Sequence, residues 1–161
     1  MAHLTFLTPT RRYSVRKVRC ALAGVLLIGA LAACGGSPED AYCGVVKDNQ
    51  QHLSTVLGDG GNAALIEALP IFRSLQAKAP GDISKDWGTV VSRLTGLRDA
   101  LAKAGVDARK YDAKHPPAGV TTAQQQAIAT AATALGSSST VSALDAVQQQ
   151  ARDVCHTPLS L

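Results

Sequence analysis

Four cysteines, four histidines and twelve carboxylates carry whatever side-chain chemistry this chain has. The cysteines are Cys20, Cys34, Cys43 and Cys155. A thiolate is a strong nucleophile that can take an alkyl group, bind a metal or pair with a second sulfur. His52, His115 and His156 stand far apart, with no paired-histidine motif and no second ligand at metal spacing. No G-x-S-x-G turn is present, and no strand pattern exists to hold one. No glycine-rich loop follows a strand, so a phosphate cradle is unsupported. Glu39 and Glu67 are the only glutamates, and both fall in the first or early turns of expected helices, where the helix dipole accounts for them. No catalytic, cofactor-binding or metal-ligating residue is assigned on these patterns. A hydrolase using His52 or His156 beside a carboxylate is the least favoured reading. His52 is expected at the edge of an apolar helix face.

The cysteine at position 34 has the most specific surroundings. Residues 1–19 hold Arg11, Arg12, Arg16, Lys17 and Arg19 and no acid, and Cys20 to Ala33 is an apolar run of fourteen residues. A basic segment, a short apolar segment and small residues at its end form a secretory signal. Fourteen residues are too few for a spanning helix, which needs about 20. The run closes on Leu31-Ala32-Ala33-Cys34, which resembles the lipobox of bacterial lipoproteins. The resemblance implies a diacylglyceryl thioether on Cys34, cleavage of residues 1–33, and a domain held on the extracytoplasmic face of the cell membrane. Two acyl chains suffice for stable anchoring where one does not, at about 0.8 kcal/mol per buried methylene. Upstream, Thr10-Arg11-Arg12-Tyr13-Ser14-Val15-Arg16 partly resembles a twin-arginine export motif. Ser14 stands where an aromatic or large apolar residue is usual, so the general secretion route is favoured.

Removing the leader changes the charge. It holds five of the sixteen basic residues and no acid, which leaves eleven bases against twelve acids and a net charge of −1 over residues 34–161. The basic balance therefore belongs to the signal and gives no argument for nucleic acid as a partner. Those 128 residues fit one domain, with a core drawn from Leu, Val, Ile and many Ala. Cys20 leaves with the signal and Cys34 takes the lipid, so Cys43 and Cys155 remain as a pair in an exported domain. A disulfide between them is expected.

Helical periodicity accounts for the rest. Helix one opens with Ser37, Pro38 and Asp40, carries Tyr42, Val45, Val46, Asn49, Leu53, Val56 and Leu57, and stops at Gly58-Asp59-Gly60-Gly61. Helix two runs from a cap at Asn62 to Ala79, with Leu65, Leu69, Phe72 and Leu75 on one face and a kink at Pro70. Helix three has the strongest stripe: Ile83, Trp87, Val90, Leu94, Leu97, Leu101 and Ala104. Helix four starts at Thr121 or Thr122, with Gln124 or Gln125 closing a capping box, and breaks at Gly136 to Ser139. Helix five carries Val141, Leu144, Val147, Ala151 and Val154. The glutamine triplets 124–126 and 148–150 are expected on solvated helix surface.

The expected fold is all-α: a small up-down four-helix bundle with a kinked second helix and a last leg made of helices four and five, stapled by one disulfide. Five separate helices with a crossing loop is the alternative. The expected boundaries are 1–33 for the removed signal, 34–37 for the lipidated cysteine and tether, 38–156 for the bundle and 157–161 for a tail. Between Gly105 and Thr121 lies a long irregular stretch holding Arg109, Lys110, Tyr111, Lys114 and His115. Long loops in compact domains are often functional, which makes this the candidate contact surface. The sequence thus points to a lipid-anchored binding or scaffolding module at the cell envelope, with another envelope protein as the candidate partner. A small-ligand or lipid carrier, its cavity opened at Pro70, is the alternative. The alanine-rich, lysine-poor organisation resembles small uncharacterised lipoproteins of high-GC Gram-positive bacteria, a resemblance that brings no activity with it.

Overall fold

The computed structural model describes residues 36–61 and 63–159. The leader, the Leu31-Ala32-Ala33-Cys34 motif and the expected cap Asn62 lie outside the described residues. Six helices and no strand are found among those described, so the chain is all-α as its periodicity requires. No described helix is long and apolar enough to cross a membrane.

Helix α1 spans Pro38–Gly58. The Ser37 hydroxyl accepts from the Asp40 amide at 3.0 Å, and the Asp40 carboxylate accepts from the Ser37 amide at 3.0 Å. This reciprocal capping box satisfies two amides that the helix cannot. Its buried stripe is Tyr42, Val46 and Leu53, narrower than expected. His52 falls on the exposed side of that stripe.

The chain breaks into two helices just before Pro70, where the sequence suggested a bend within one. Helix α2 is a single turn, Ala64–Glu67, and α3 runs Leu69–Lys78. Pro70 sits in the first turn of α3, where its missing amide has no intrahelical partner to lose. The break lets Ala68, Leu69, Phe72 and Leu75 bury together. It also turns Leu65, expected on the same face, to 36% exposure.

Helix α4, Ser84–Lys103, is central and packs against α2 and α3. Trp87, Val90, Leu94 and Leu101 are buried on its stripe, as the periodicity requires, and Val91 joins them. Trp87 is wholly enclosed, lies 5.6 Å from the Phe72 ring and donates its Nε1 hydrogen to the Tyr42 hydroxyl at 3.1 Å. Gly105 closes α4 with φ +67°, a left-handed conformation that costs glycine little. Its amide bonds the Ala102 carbonyl and the Val106 amide bonds that of Leu101, the double closure of a Schellman end.

Helix α5 spans Thr122–Leu135 and α6 spans Ser138–Asp153; both pack against α4, and far less against each other. The cap of α5 resolves to Thr121 with Gln124. Ile128 is its only buried residue. Helix α6 buries Thr140, Ala143, Val147, Gln150 and Ala151. Val141 and Val154, expected inside, are 48% and 46% exposed. The junction sets this phase. Ser137 and Thr140 both donate to the Ala134 carbonyl, at 2.8 and 3.0 Å, which draws the Thr140 face inward. Gln150, expected on solvated surface, is carried into the interior by the same rotation. The Cys43–Cys155 disulfide forms as the cysteine count requires, and joins the first turns of α1 to the chain just beyond α6. Past it, Leu159 is buried within the core.

Candidate functional site

Residues 105–121 form an irregular strap, as expected, shaped mainly by hydrogen bonds within it. The Asp107 carboxylate accepts from the Arg109 amide at 2.9 Å, and its carbonyl from the amides of Lys110 and Tyr111. Asp112 repeats the device: one carboxylate oxygen accepts from the Lys114 amide at 2.8 Å, and the other meets His115 Nδ1 at 2.9 Å. Short acidic side chains bonding backbone two residues on are a turn-forming device. At the far end, the Gln125 side chain donates to the Val120 carbonyl at 3.0 Å and that of Gln124 to the Lys103 carbonyl at 3.1 Å.

One bond crosses the fold. Arg109 Nε donates to Glu67 Oε1 at 2.5 Å, tying the strap to α2. Hydrogen bonding to Arg109 holds the Glu67 carboxyl below its ordinary range, and the same bond raises the Arg109 guanidinium. His115 does the same for the Asp112 carboxyl, with help from the Lys114 amide.

Beneath the strap lies an open groove of about 860 Å³. Its floor takes Leu97 and Leu101 from α4, Ile128 from α5 and Ile66 from α2, and the strap supplies Ala108 through Ala113 along one edge. Leu101 and Ile128 are 5% and 3% exposed, so the floor is part of the core. The groove sits toward the C-terminal end of α4. Leu97 and Leu101 lie ten and fourteen residues beyond Trp87, or about 15–21 Å along the helix at 1.5 Å per residue. The Trp87–Tyr42 bond, with Cys43 beside it, marks the other end.

Of the five contact residues read from the sequence, Arg109, Lys110 and Tyr111 line this groove, while Lys114 and His115 stand exposed farther along the strap. The floor was not legible as a site, because Leu97, Leu101 and Ile128 read as ordinary core positions. Glu67 was read as a dipole-favoured acid; its observed partner is forty-two residues away, a distance no local pattern spans. Pro70, where the sequence placed a cavity mouth, does not line the groove. Among the described residues no group of three or more His, Cys, Asp or Glu side chains is placed to share a metal ion. No family model matches the chain, and no curated protein and no solved structure matches it.

Proposed function

We propose that this protein is a lipid-anchored, extracytoplasmic binding module of the cell envelope that engages a partner through the strap at residues 105–121. The single observation that carries the reading is the strap itself: a cationic, largely exposed segment that is nevertheless pinned to α2 by Arg109–Glu67 and edges an apolar groove. A linker with no role beyond connection needs none of these attachments.

The anchor follows from the leader. Cys34 in Leu31-Ala32-Ala33-Cys34 bears the lipid in this reading, and only three residues separate it from Pro38. At no more than about 3.6 Å per residue, so short a tether keeps the start of α1 at the bilayer. The bundle reading accounts for the packing. It has four legs: α1, the broken pair α2 and α3, the central α4, and α5 with α6 in series. The meagre contact between α5 and α6 against their shared packing on α4 favours that arrangement. The disulfide end then sits near the lipid and the groove end points away from it, toward whatever the module binds. We read the protein as a binder and not a hydrolase; alanine at His52 and His156 then leaves its function intact.

The groove supports a second reading, a small-ligand or lipid carrier, since about 300–1,000 Å³ is the usual size of such sites. Two measurements test the main one. Mass spectrometry of the mature N-terminus should find a lipidated Cys34, and an unmodified cysteine there ends the anchoring claim. A photocrosslinking side chain at Lys110 should trap a defined envelope protein in intact cells, whereas the same group at Lys47 on α1 should not. Equal trapping from both positions would remove the strap as the contact surface.

A further inference from the structure

We propose that the disulfide end of the domain is a bilayer-contact face, with the side chain of Val154 set among the lipid headgroups. This rests on the lipid anchor at Cys34 and names the surface that the anchor brings to the membrane.

The tether sets the distance. Both capping bonds hold Ser37 to Asp40, so only Gly35 and Gly36 lie between Cys34 and the cap of α1. Three steps of at most about 3.6 Å each span about 11 Å. A helix is about 10–12 Å across, so the gap between this end and the bilayer has no room for a folded partner. What this end can touch is lipid. Cys43 stands five residues beyond Pro38, about 7.5 Å along α1, and its Cα is 5.0 Å from that of Cys155. Val154 therefore sits about one and a half turns from the start of α1. The headgroup layer is about 5–7 Å deep on each side of the hydrocarbon, so a modest tilt of α1 seats Val154 in it.

Apolar surface comes into the open at this place. Val147 and Ala151 are wholly buried, and Val154, next at helical spacing, is 46% exposed. Charge does not account for the seating. Within about one turn of the bridge stand Glu39, Asp40 and Asp153 against Lys47 and Arg152, all exposed, with the exposed His156. That set is mixed and is not the basic cluster that seeks anionic lipid. Apolar contact therefore drives the seating, and lipid charge matters little.

The test uses the lipidated chain in vesicles of zwitterionic lipid. Val154→Trp is compared with Val141→Trp, since the two positions are nearly equally exposed and lie about 20 Å apart along α6. The buried Trp87 gives both the same background. Lipids with a nitroxide just below the headgroup should quench the indole introduced at 154 about threefold to fivefold more than that at 141, the bias expected from covering half a valine. In the unsubstituted chain, a lipid with a photoactivatable group at the same depth should label residues 152–158 and spare 138–145. Adding anionic lipid should leave both results nearly unchanged, and a requirement for it overturns the apolar basis. Equal quenching at both positions, or none at either, in a chain whose Cys34 is lipidated by mass spectrometry, overturns the contact face and leaves the anchor standing. An indole at 154 that is blue-shifted yet unquenched puts protein on the patch and overturns it too. An unmodified Cys34 overturns the anchor, and the contact face with it.

Discussion

Arg109 and Glu67 are forty-two residues apart in the chain and 2.5 Å apart in the fold. Their bond is exposed on both sides, the side chains being 70% and 37% accessible, so its contribution to global stability is small. Its effect is local: it decides where the strap sits. Glu67→Gln should leave the melting temperature nearly unchanged and raise amide exchange across residues 107–113. Acid should do the same reversibly. Because Arg109 holds the folded Glu67 carboxyl below its unfolded value, the tether is complete above the ordinary carboxylate range and is lost as pH falls through the lowered value. Exchange or Tyr111 fluorescence followed from pH 7 downward checks this. A strap that loosens near neutral pH would contradict it.

Gln150 is 8% exposed, and neither polar atom of its side chain finds a hydrogen-bond partner among the described residues. An unpaired buried amide costs about 1–3 kcal/mol. Replacing it with methionine keeps the unbranched shape and removes the cost. Gln150→Met should therefore stabilise the fold by about 1–2 kcal/mol in urea titration. A loss of stability would mean that the amide is paired in solution.

The two helical surprises have one cause. Periodicity located α1, α4, α5 and α6, and the neighbouring residues marked the start of α1, the start of α5 and the Gly105 end of α4, because a capping box or a glycine end is written in three or four neighbouring residues. It did not locate what neighbours across the fold decide. At α6 the apolar pattern chose Val141 and Val154, yet the Ser137–Thr140 junction rotated a smaller face inward and took Gln150 with it. At Pro70 the sequence rightly marked an interruption, and the break accompanies the burial of Ala68, Leu69, Phe72 and Leu75 from across the fold. The candidate site divides in the same way. Its cationic strap was legible as a long loop of unusual composition, whereas its apolar floor is indistinguishable in sequence from core.

Tyr42 supplies the only acceptor for the Trp87 indole hydrogen among the described residues, in a place closed to water. Tyr42→Phe should leave that donor orphaned and cost about 1–3 kcal/mol, with a shift in Trp87 emission. It should also change the alkaline limb of the stability curve. Burial raises the Tyr42 phenol above its ordinary value, with Trp87 partly opposing it. The folded form then keeps its proton where the unfolded chain has lost it, so stability is full below the unfolded value near 10 and declines as pH rises toward the folded one. The phenylalanine variant should lack that part of the decline. Identical alkaline slopes would remove the assignment.

The Cys43–Cys155 bridge closes a separation of 112 residues, and so encloses nearly all of the described chain. A cross-link of that span removes much of the freedom of the unfolded state, and native bridges in small exported domains contribute about 2–5 kcal/mol. The need is greater here because α5 buries only Ile128 and α6 presents a face of small side chains, so packing alone secures the last part of the chain weakly. Reduction should therefore act unevenly. In reduced, alkylated protein, amides of α6 and of α1 near Cys43 should lose protection first, ahead of the Trp87–Phe72–Leu94 centre. Urea midpoints measured with and without reductant give the magnitude, and residue-level exchange gives the order. Uniform loss of protection across all helices would show that the bridge acts only through the unfolded chain, and a midpoint that does not move would show that α6 holds its place without it.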